Sequence, residues 1–387
     1  MSLKNADSYP PTADYDLLLL NNQIDAFIAS FRKANTNVGS AFGITCTARE
    51  VTPVNNEAIV QAVLEQYEKL KTNALTEEQI DSLKHITQHL SSGAANSAWL
   101  RAREMRVTSS VVGSASGLGK YGSPATALKD YVFARSFFGN AATNYGNLHE
   151  DDAESAFKEF WKKRLFTKIV ESDNRILVNF SIAHFGLCVD KTTQYLAGSP
   201  DGFLTLFFNN GTKECRLIEY KCPYSKRNYV GEDTMYPRQR IKCTDALLCV
   251  PANYFCQVHH LMQILGVQRT EFVVWAPYIV SEPSAQSTTV GSDAYHFHAS
   301  NGTIERTLID FDVGFYAEMK TRVDHFFKYY LMVALVLKKR GLLLSSQMKM
   351  RDDLFKKTWS VRFKNAASSS SSNSDTDSVS EEGPAGK

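Results

Sequence analysis

Gly198-Ser-Pro-Asp201-Gly-Phe-Leu-Thr-Leu-Phe-Phe-Asn209-Asn-Gly211-Thr-Lys-Glu-Cys-Arg-Leu-Ile-Glu219-Tyr-Lys221-Cys-Pro223 is the most informative stretch of this 387-residue chain. Two strand-like runs, Phe203 to Phe208 and Arg216 to Lys221, flank Asn-Asn-Gly, a short loop able to supply left-handed backbone positions. A hairpin symmetric about Asn210 sets Asp201 opposite Glu219. Side chains alternate along a strand, so Lys221 shares the Glu219 face. Cross-strand partners sit about 5 Å apart. Two carboxylates and a lysine thus converge on one face beside Phe203, Leu217 and Ile218. Acids so close repel and raise each other's pKa unless a cation joins them. Hard oxygen ligands suit Mg²⁺ or Mn²⁺. A lone Glu-x-Lys is more often a wet surface pair; Ser-Pro-Asp-Gly at this register is what sets the segment apart.

Outward from the hairpin, strand-like runs at Ile176–Ile182 and Phe272–Trp275 alternate with helical ones. The latter are Ser123 to Phe138, Asn147 to Leu165, Tyr254 to Leu265 and Val313 to Leu337. This order predicts an α/β or α+β domain, a central mixed sheet flanked by helices. Before it, Ile59, Val60, Val63, Leu64 and Tyr67 mark one amphipathic helix. Thr76 and Gln79 form a capping box for a second that carries Ile80, Leu83, Ile86 and Leu90. The expected division is an N-terminal helical region over 1–95, the main domain over 96–345, and a basic then Ser-rich acidic tail over 346–387, disordered at its end.

Composition narrows the classes. Hydrophobic residues make up 43% and the net charge is +2, so the chain is globular and bulk charge names no partner. Seven cysteines without a C-x-x-C argue against a disulfide framework, a zinc module or an iron–sulfur cluster. The polar N-terminus lacks a signal-like apolar run, and Tyr329–Leu337 is too short to span a bilayer, so an intracellular, reduced compartment is expected.

Gly117, Gly119 and Gly122 spell G-x-G-x-x-G, yet the expected helix starts only after them, at Ser123-Pro124, and no ribose-binding acid follows. Ser114 and Tyr121 also spoil a phosphate loop, so a turn is expected there. A third acid emerges in Gly146-Asn-Leu-His-Glu150-Asp-Asp-Ala. At about 100° per residue, Glu150 points the same way as Ala156, Phe157, Phe160 and Trp161, while Asp151 and Asp152 diverge. Two readings stay open: a buried acid facing a cation, or a helix-start acid favoured by the dipole. Gln257 flanks the apolar face of Tyr254, Val258, Leu261 and Leu265. Arg103 and Ser110 are polar groups able to bind a phosphate. Arg238, Arg240 and Lys242 are candidate backbone contacts for nucleic acid, with a solvated face as the plainer reading.

Trp99 through Ser110, Tyr145 through Ala153, Ser199-Pro-Asp-Gly202, Glu219-Tyr-Lys-Cys-Pro223 and Phe255-Cys-Gln257-Val-His-His-Leu-Met262 together resemble the PD-(D/E)XK nuclease superfamily. Within it they resemble the lambda-exonuclease and YqaJ-like viral recombinase family, related to viral alkaline nucleases. The resemblance implies a restriction-endonuclease-like core and a metal-dependent DNA exonuclease, 5′-to-3′ on duplex ends. It assigns Mg²⁺ (Mn²⁺ substituting) to Asp201, Glu219, the Tyr220 carbonyl and Glu150. Lys221 and Gln257 handle the attacking water, and Arg103 and Ser110 take a terminal phosphate. It further implies a single-strand annealing partner, homo-oligomers in some relatives, and a nuclear location in a eukaryotic or viral setting. His149 stands where the family often has Tyr. An endonuclease, an RNA-cleaving enzyme or a catalytically silent nucleic-acid-binding relative are the alternatives.

Overall fold

The computed structural model describes residues 16–25, 27, 56–86, 99, 101–103, 105–120, 122–133, 140–167, 175–228, 234–277, 289–290 and 294–341. The tail, the expected segment around Leu90 to Gly93 and Phe138 lie outside these.

The hairpin forms as its turn chemistry dictates. Strand β5 (Gly202–Phe208) pairs antiparallel with β6 (Lys213–Lys221) in the register Gly202↔Ile218 and Phe203↔Leu217. Gly211 closes the turn at φ 80°, a conformation glycine adopts without Cβ strain. The hairpin sits inside a seven-stranded mixed sheet. It also contains β2 (Leu177–Ala183), β9 (Arg269–Ala276), β10 (Thr289–Val290), β11 (Ala294–Ala299) and β12 (Gly302–Asp310), in the order β10-β11-β12-β9-β6-β5-β2. Only the β6–β9 pairing is parallel, bridged by a crossover that carries a helix (Ala252–Leu265). The expected central mixed sheet with flanking helices is therefore present.

Among the described helices before that crossover are α1 (Asn56–Thr72), α2 (Glu77–Leu83), α3 (Ser109–Ser116), α4 (Pro124–Phe133) and α5 (Ala141–Thr167). The crossover helix itself is α6. Helix α5 lies on one sheet face: Ala153, Ala156, Phe157, Phe160 and Trp161 pack with Leu204, Leu206, Ile218, Val273 and Trp275. These inward residues are the arc read from the sequence. α5 begins at Ala141, a turn and a half before the expected Asn147, because Asn140 caps it through the Thr143 N–H. Toward the other face, α6 packs against a three-stranded sheet of β1 (Val107–Thr108), β4 (Leu196–Gly198) and β3 (Cys188–Val189). Gly198 permits this: a Cβ there would sit 2.6 Å from a Leu261 methyl and 2.8 Å from Ser109 Oγ.

Two expectations need correction. α2 stops at Leu83 and turns at Lys84, because Gly186 N–H and Leu187 N–H donate to the Lys84 and Leu83 carbonyls. The capping box of Thr76 and Gln79 is present. The β11–β12 hairpin gives no apolar alternation, since its buried positions hold Glu305, Arg306, Thr307 and His296. The last helix runs from Val313 to Lys339, yet widens into a π-helical segment at Phe326–Leu331. There Phe327 stacks on Tyr195 at 3.9 Å. The Gly117–Gly122 stretch is a turn as expected: Gly117 ends α3 at φ 68° and Gly119 abuts Asn253. No helix among the described residues is long and apolar enough to cross a membrane.

Two buried histidines on α6 make stability pH-dependent. His259 donates from Nδ1 to the Phe255 carbonyl (2.9 Å), which leaves Nε2 to accept the Asp312 N–H (3.1 Å). Burial depresses its pKa to about 4, and His260, bonded to the Ala197 carbonyl, also to about 4. The unfolded chain takes up these protons near pH 6.5 and the folded chain near 4. Each histidine's contribution is thus complete above about pH 6.5 and declines as pH falls toward 4. The unfolding free-energy gap between wild type and His259→Gln should narrow by about 2 kcal/mol from pH 7 to pH 5. Denaturant titrations at the two pH values measure it; a constant gap would remove His259 as the cause.

Candidate active site

The acids meet where the hairpin ends. Asp201 sits one residue before β5, and its Oδ2 accepts the Tyr220 N–H at 2.8 Å. This bond continues the register by one step and fixes the carboxylate opposite Glu219. Glu219, on β6 at the sheet centre, is fully buried. Its Oε1 accepts the Lys221 ammonium and the Gln257 amide, the latter at 2.6 Å. Its Oε2 has no hydrogen-bond partner. A buried carboxylate oxygen left bare is costly.

Lys221 projects into the same space. Its Nζ also donates to the Tyr220 carbonyl at 2.9 Å, lies 3.9 Å from Asp201 Oδ2, and stands 4.9 Å over the Tyr254 ring. Burial works against the ammonium, but the charges of Glu219 and Asp201 outweigh it and raise the pKa. Lys221 is therefore a cation held among carboxylates. Glu150 arrives from α5, half-buried, lining the same cleft. Burial first and the Asp201 charge second push its pKa up to about 7, with Lys221 opposing. The same two influences raise Glu219. The reading of Glu150 as an acid facing this cluster thus prevails over a plain helix-start acid; it lies well inside α5 rather than in its first turn.

This donor set suits a divalent ion. Three carboxylates in mutual repulsion, one with a bare buried oxygen, and the Tyr220 carbonyl are hard oxygen donors. Among the described residues no three His, Cys, Asp or Glu side chains form a ready cage. The Lys221 ammonium takes the central place among the acids instead.

The acids, Lys221 and Gln257 share a cleft of about 990 Å³ with Trp99, Arg103 and Ser110. Arg103 lies 4.1 Å over the Trp99 ring and donates to Thr108 Oγ1 (3.0 Å) and Ser110 Oγ (3.5 Å). The cleft thus carries both a guanidinium with hydroxyls, groups suited to an anionic ligand, and a set of acids. The eight residues to which the resemblance assigns roles all line this cleft. Arg238, Arg240 and Lys242 do not line it; they are exposed on and beside the β7 (Gln239–Arg240)–β8 (Leu247–Leu248) ladder.

Some contributors were not apparent beforehand. His184 donates from Nδ1 to the Asp201 carbonyl (3.0 Å) and pairs through Nε2 with Glu154 (3.2 Å), tying the Asp201 loop to α5. Tyr254 lines the cleft one helical turn before Gln257, so helical spacing alone could have flagged it. Thr108 lay between Arg103 and Ser110 in the quoted motif. His149 stacks on Trp275 at 5.0 Å and bonds Asp152, which fixes its ring outside the acid cluster.

Residues 98–268 match the YqaJ-like viral recombinase domain. No curated protein matches the chain. Among solved structures, it is similar to an alkaline exonuclease (LHK-Exo) from Laribacter hongkongensis. The identity is 18%, with 63% of this chain and 97% of that one covered, at a TM-score of 0.39. It is also similar to the shutoff and exonuclease protein of Kaposi's sarcoma-associated herpesvirus, at 11% identity, 86% and 88% coverage and TM-score 0.35. A SOX–DNA complex aligns at 12% identity, 72% and 79% coverage and TM-score 0.37. The segment that matches the YqaJ-like viral recombinase domain contains the whole acid, lysine and glutamine cluster together with Arg103 and Ser110.

Proposed function

We propose that this chain is a Mg²⁺-dependent exonuclease that hydrolyses double-stranded DNA from its ends, degrading the 5′-terminated strand. The observation that carries the reading is the bare, buried Oε2 of Glu219, a carboxylate that shares one cleft with Asp201, Glu150, Lys221 and Arg103. Asp201, Glu219, Glu150 and the Tyr220 carbonyl would hold the ion, with Mn²⁺ an acceptable substitute. A bound divalent ion makes water nucleophilic at neutral pH and stabilises charge on the phosphate oxygens.

The chain's own residues supply the rest. Lys221, cationic and within reach of the acids, orients the water and meets charge developing on the phosphate. Gln257 holds Glu219 in its rotamer and offers a polar group to that water. Arg103 and Ser110 receive the terminal phosphate, which sets the register of the scissile bond. A terminus gripped there makes cutting depend on an end.

Linear duplexes bearing 5′-phosphate or 5′-hydroxyl ends, closed circular DNA and single-stranded RNA, each with Mg²⁺, test this. The expected result is progressive loss of the linear 5′-phosphorylated strand, at least tenfold slower loss from 5′-hydroxyl ends, and intact circles. Cut circles would establish an endonuclease instead, and cleavage confined to RNA would overturn the substrate assignment.

A further inference from the structure

Tyr131 lies outside the cleft, yet its hydroxyl is bonded at both ends to the segment that builds the anion-binding end. It donates to the Arg106 carbonyl at 2.7 Å and accepts the Thr108 N–H at 3.1 Å. These two groups flank Val107, so one hydroxyl pins the backbone on both sides of that residue. The pinned segment is strained. Met105 has φ 60°, a left-handed conformation that a side-chain-bearing residue adopts at a cost and keeps only where its surroundings enforce it.

The pin acts on the cleft through Thr108. This residue occupies the N-cap position of α3, but its hydroxyl makes no cap bond. Instead Thr108 Oγ1 accepts the Arg103 guanidinium at 3.0 Å and lies 3.5 Å from Ser110 Oγ. Arg103 is thus held by Trp99 beneath it and by Thr108 beside it. Removing the Tyr131 hydroxyl frees the Thr108 N–H and the Arg106 carbonyl together and releases the strained turn. The spacing of Arg103, Thr108 and Ser110 then loses its fixed reference. Placement errors of about 1 Å are costly for a bidentate grip on phosphate.

From this geometry we infer that Tyr131 is a positioning residue for end selection: through Thr108 it presets the Arg103–Ser110 pocket and so sets the preference for a 5′-phosphate over a 5′-hydroxyl. The inference rests on the reading of that pocket as the terminal-phosphate site. It adds that the discrimination is built by a hydroxyl that touches no substrate.

The test compares kcat/KM on otherwise identical 5′-phosphorylated and 5′-hydroxyl duplexes for wild type, Tyr131→Phe and Thr108→Val, with thermal unfolding measured on each. Tyr131→Phe keeps the ring and removes both bonds. Its phosphate preference should fall tenfold or more, chiefly through KM on phosphorylated ends, while the rate on 5′-hydroxyl ends stays within twofold. Thr108→Val keeps the backbone bond to Tyr131 and deletes the Arg103 acceptor, and should lose the preference likewise. If Tyr131→Phe does not fold, a preference retained in Thr108→Val still overturns the inference. Retained preference in the folded variants, or an equal fall on both ends, overturns the inference. A wild type indifferent to the 5′ group overturns the phosphate-site reading itself, and the two failures are thereby distinct.

Discussion

Lys221→Ala should lower kcat by about a thousandfold, roughly 4 kcal/mol of transition-state stabilisation, while DNA binding changes little. The side chain donates to Glu219 and the Tyr220 carbonyl and lies 3.9 Å from Asp201. It is thus the cation nearest the point where phosphate charge would grow. Arg103 lies over Trp99 in the same cleft. A purely structural lysine would give another pattern, a lowered melting temperature with activity falling in parallel. Lys221→Arg separates the cases further. It keeps the charge, but the planar guanidinium cannot reproduce a point charge aimed at three oxygens, so kcat should stay within tenfold of the alanine variant. Single-turnover rates with saturating Mg²⁺ provide the measurement. A kcat within tenfold of wild type for Lys221→Ala would falsify the assignment.

The largest stability effect should come from Glu271→Ala, well away from the cleft. Glu271 is fully buried in β9 and accepts from Arg216 on β6 (2.7 Å) and from Arg306 on β12 (2.6 Å). The three residues cross three adjacent strands. Arg306 also stacks on Phe160 at 4.2 Å, which joins the charge to the α5 core. Burial opposes the Glu271 charge, yet the two guanidiniums hold its pKa below the usual carboxylate value. Removing Glu271 leaves Arg306 without its carboxylate partner in the interior. Breaking such an arrangement costs on the order of 3–5 kcal/mol, or a melting shift on the order of 10 °C. Glu68→Ala, which removes only an exposed partner of Lys71, should cost under about 0.5 kcal/mol. Calorimetry of the two variants settles the comparison; equal shifts would show the buried triad to be energetically idle.

The same triad explains what the sequence could not disclose. The β5–β6 hairpin was readable because its signals are local. Asn-Asn-Gly fixes the turn, the turn fixes the register, and alternation then brings Glu219 and Lys221 to one face. Helix α5 was readable because Phe157, Phe160 and Trp161 recur at helical spacing. β12 was not, because Glu305, Arg306 and Thr307 look like a wet surface until their partners, Glu271 and His296, arrive from other strands. α3 was missed for a related reason. Its Ser, Val and Gly residues carry little helical preference, and it exists because α6 lies close enough for Gly113 to meet Asn253. His184 was invisible as well, since its bonds run to Asp201 and Glu154, neither of them a neighbour in the chain.

The parallel pairing of β6 with β9 has a bearing on how the chain folds on the ribosome. β5 and β6 can zip together as soon as they emerge, so Asp201, Glu219 and Lys221 meet early in synthesis. Gln257 and β9 follow only after the long crossover, and until β9 docks, one edge of β6 stays open. Non-local parallel pairing of this kind is slow to form. The nascent chain therefore carries its acids and lysine through translation without a finished cleft, and hydrolytic competence would arrive late, after the crossover helix has been threaded into place.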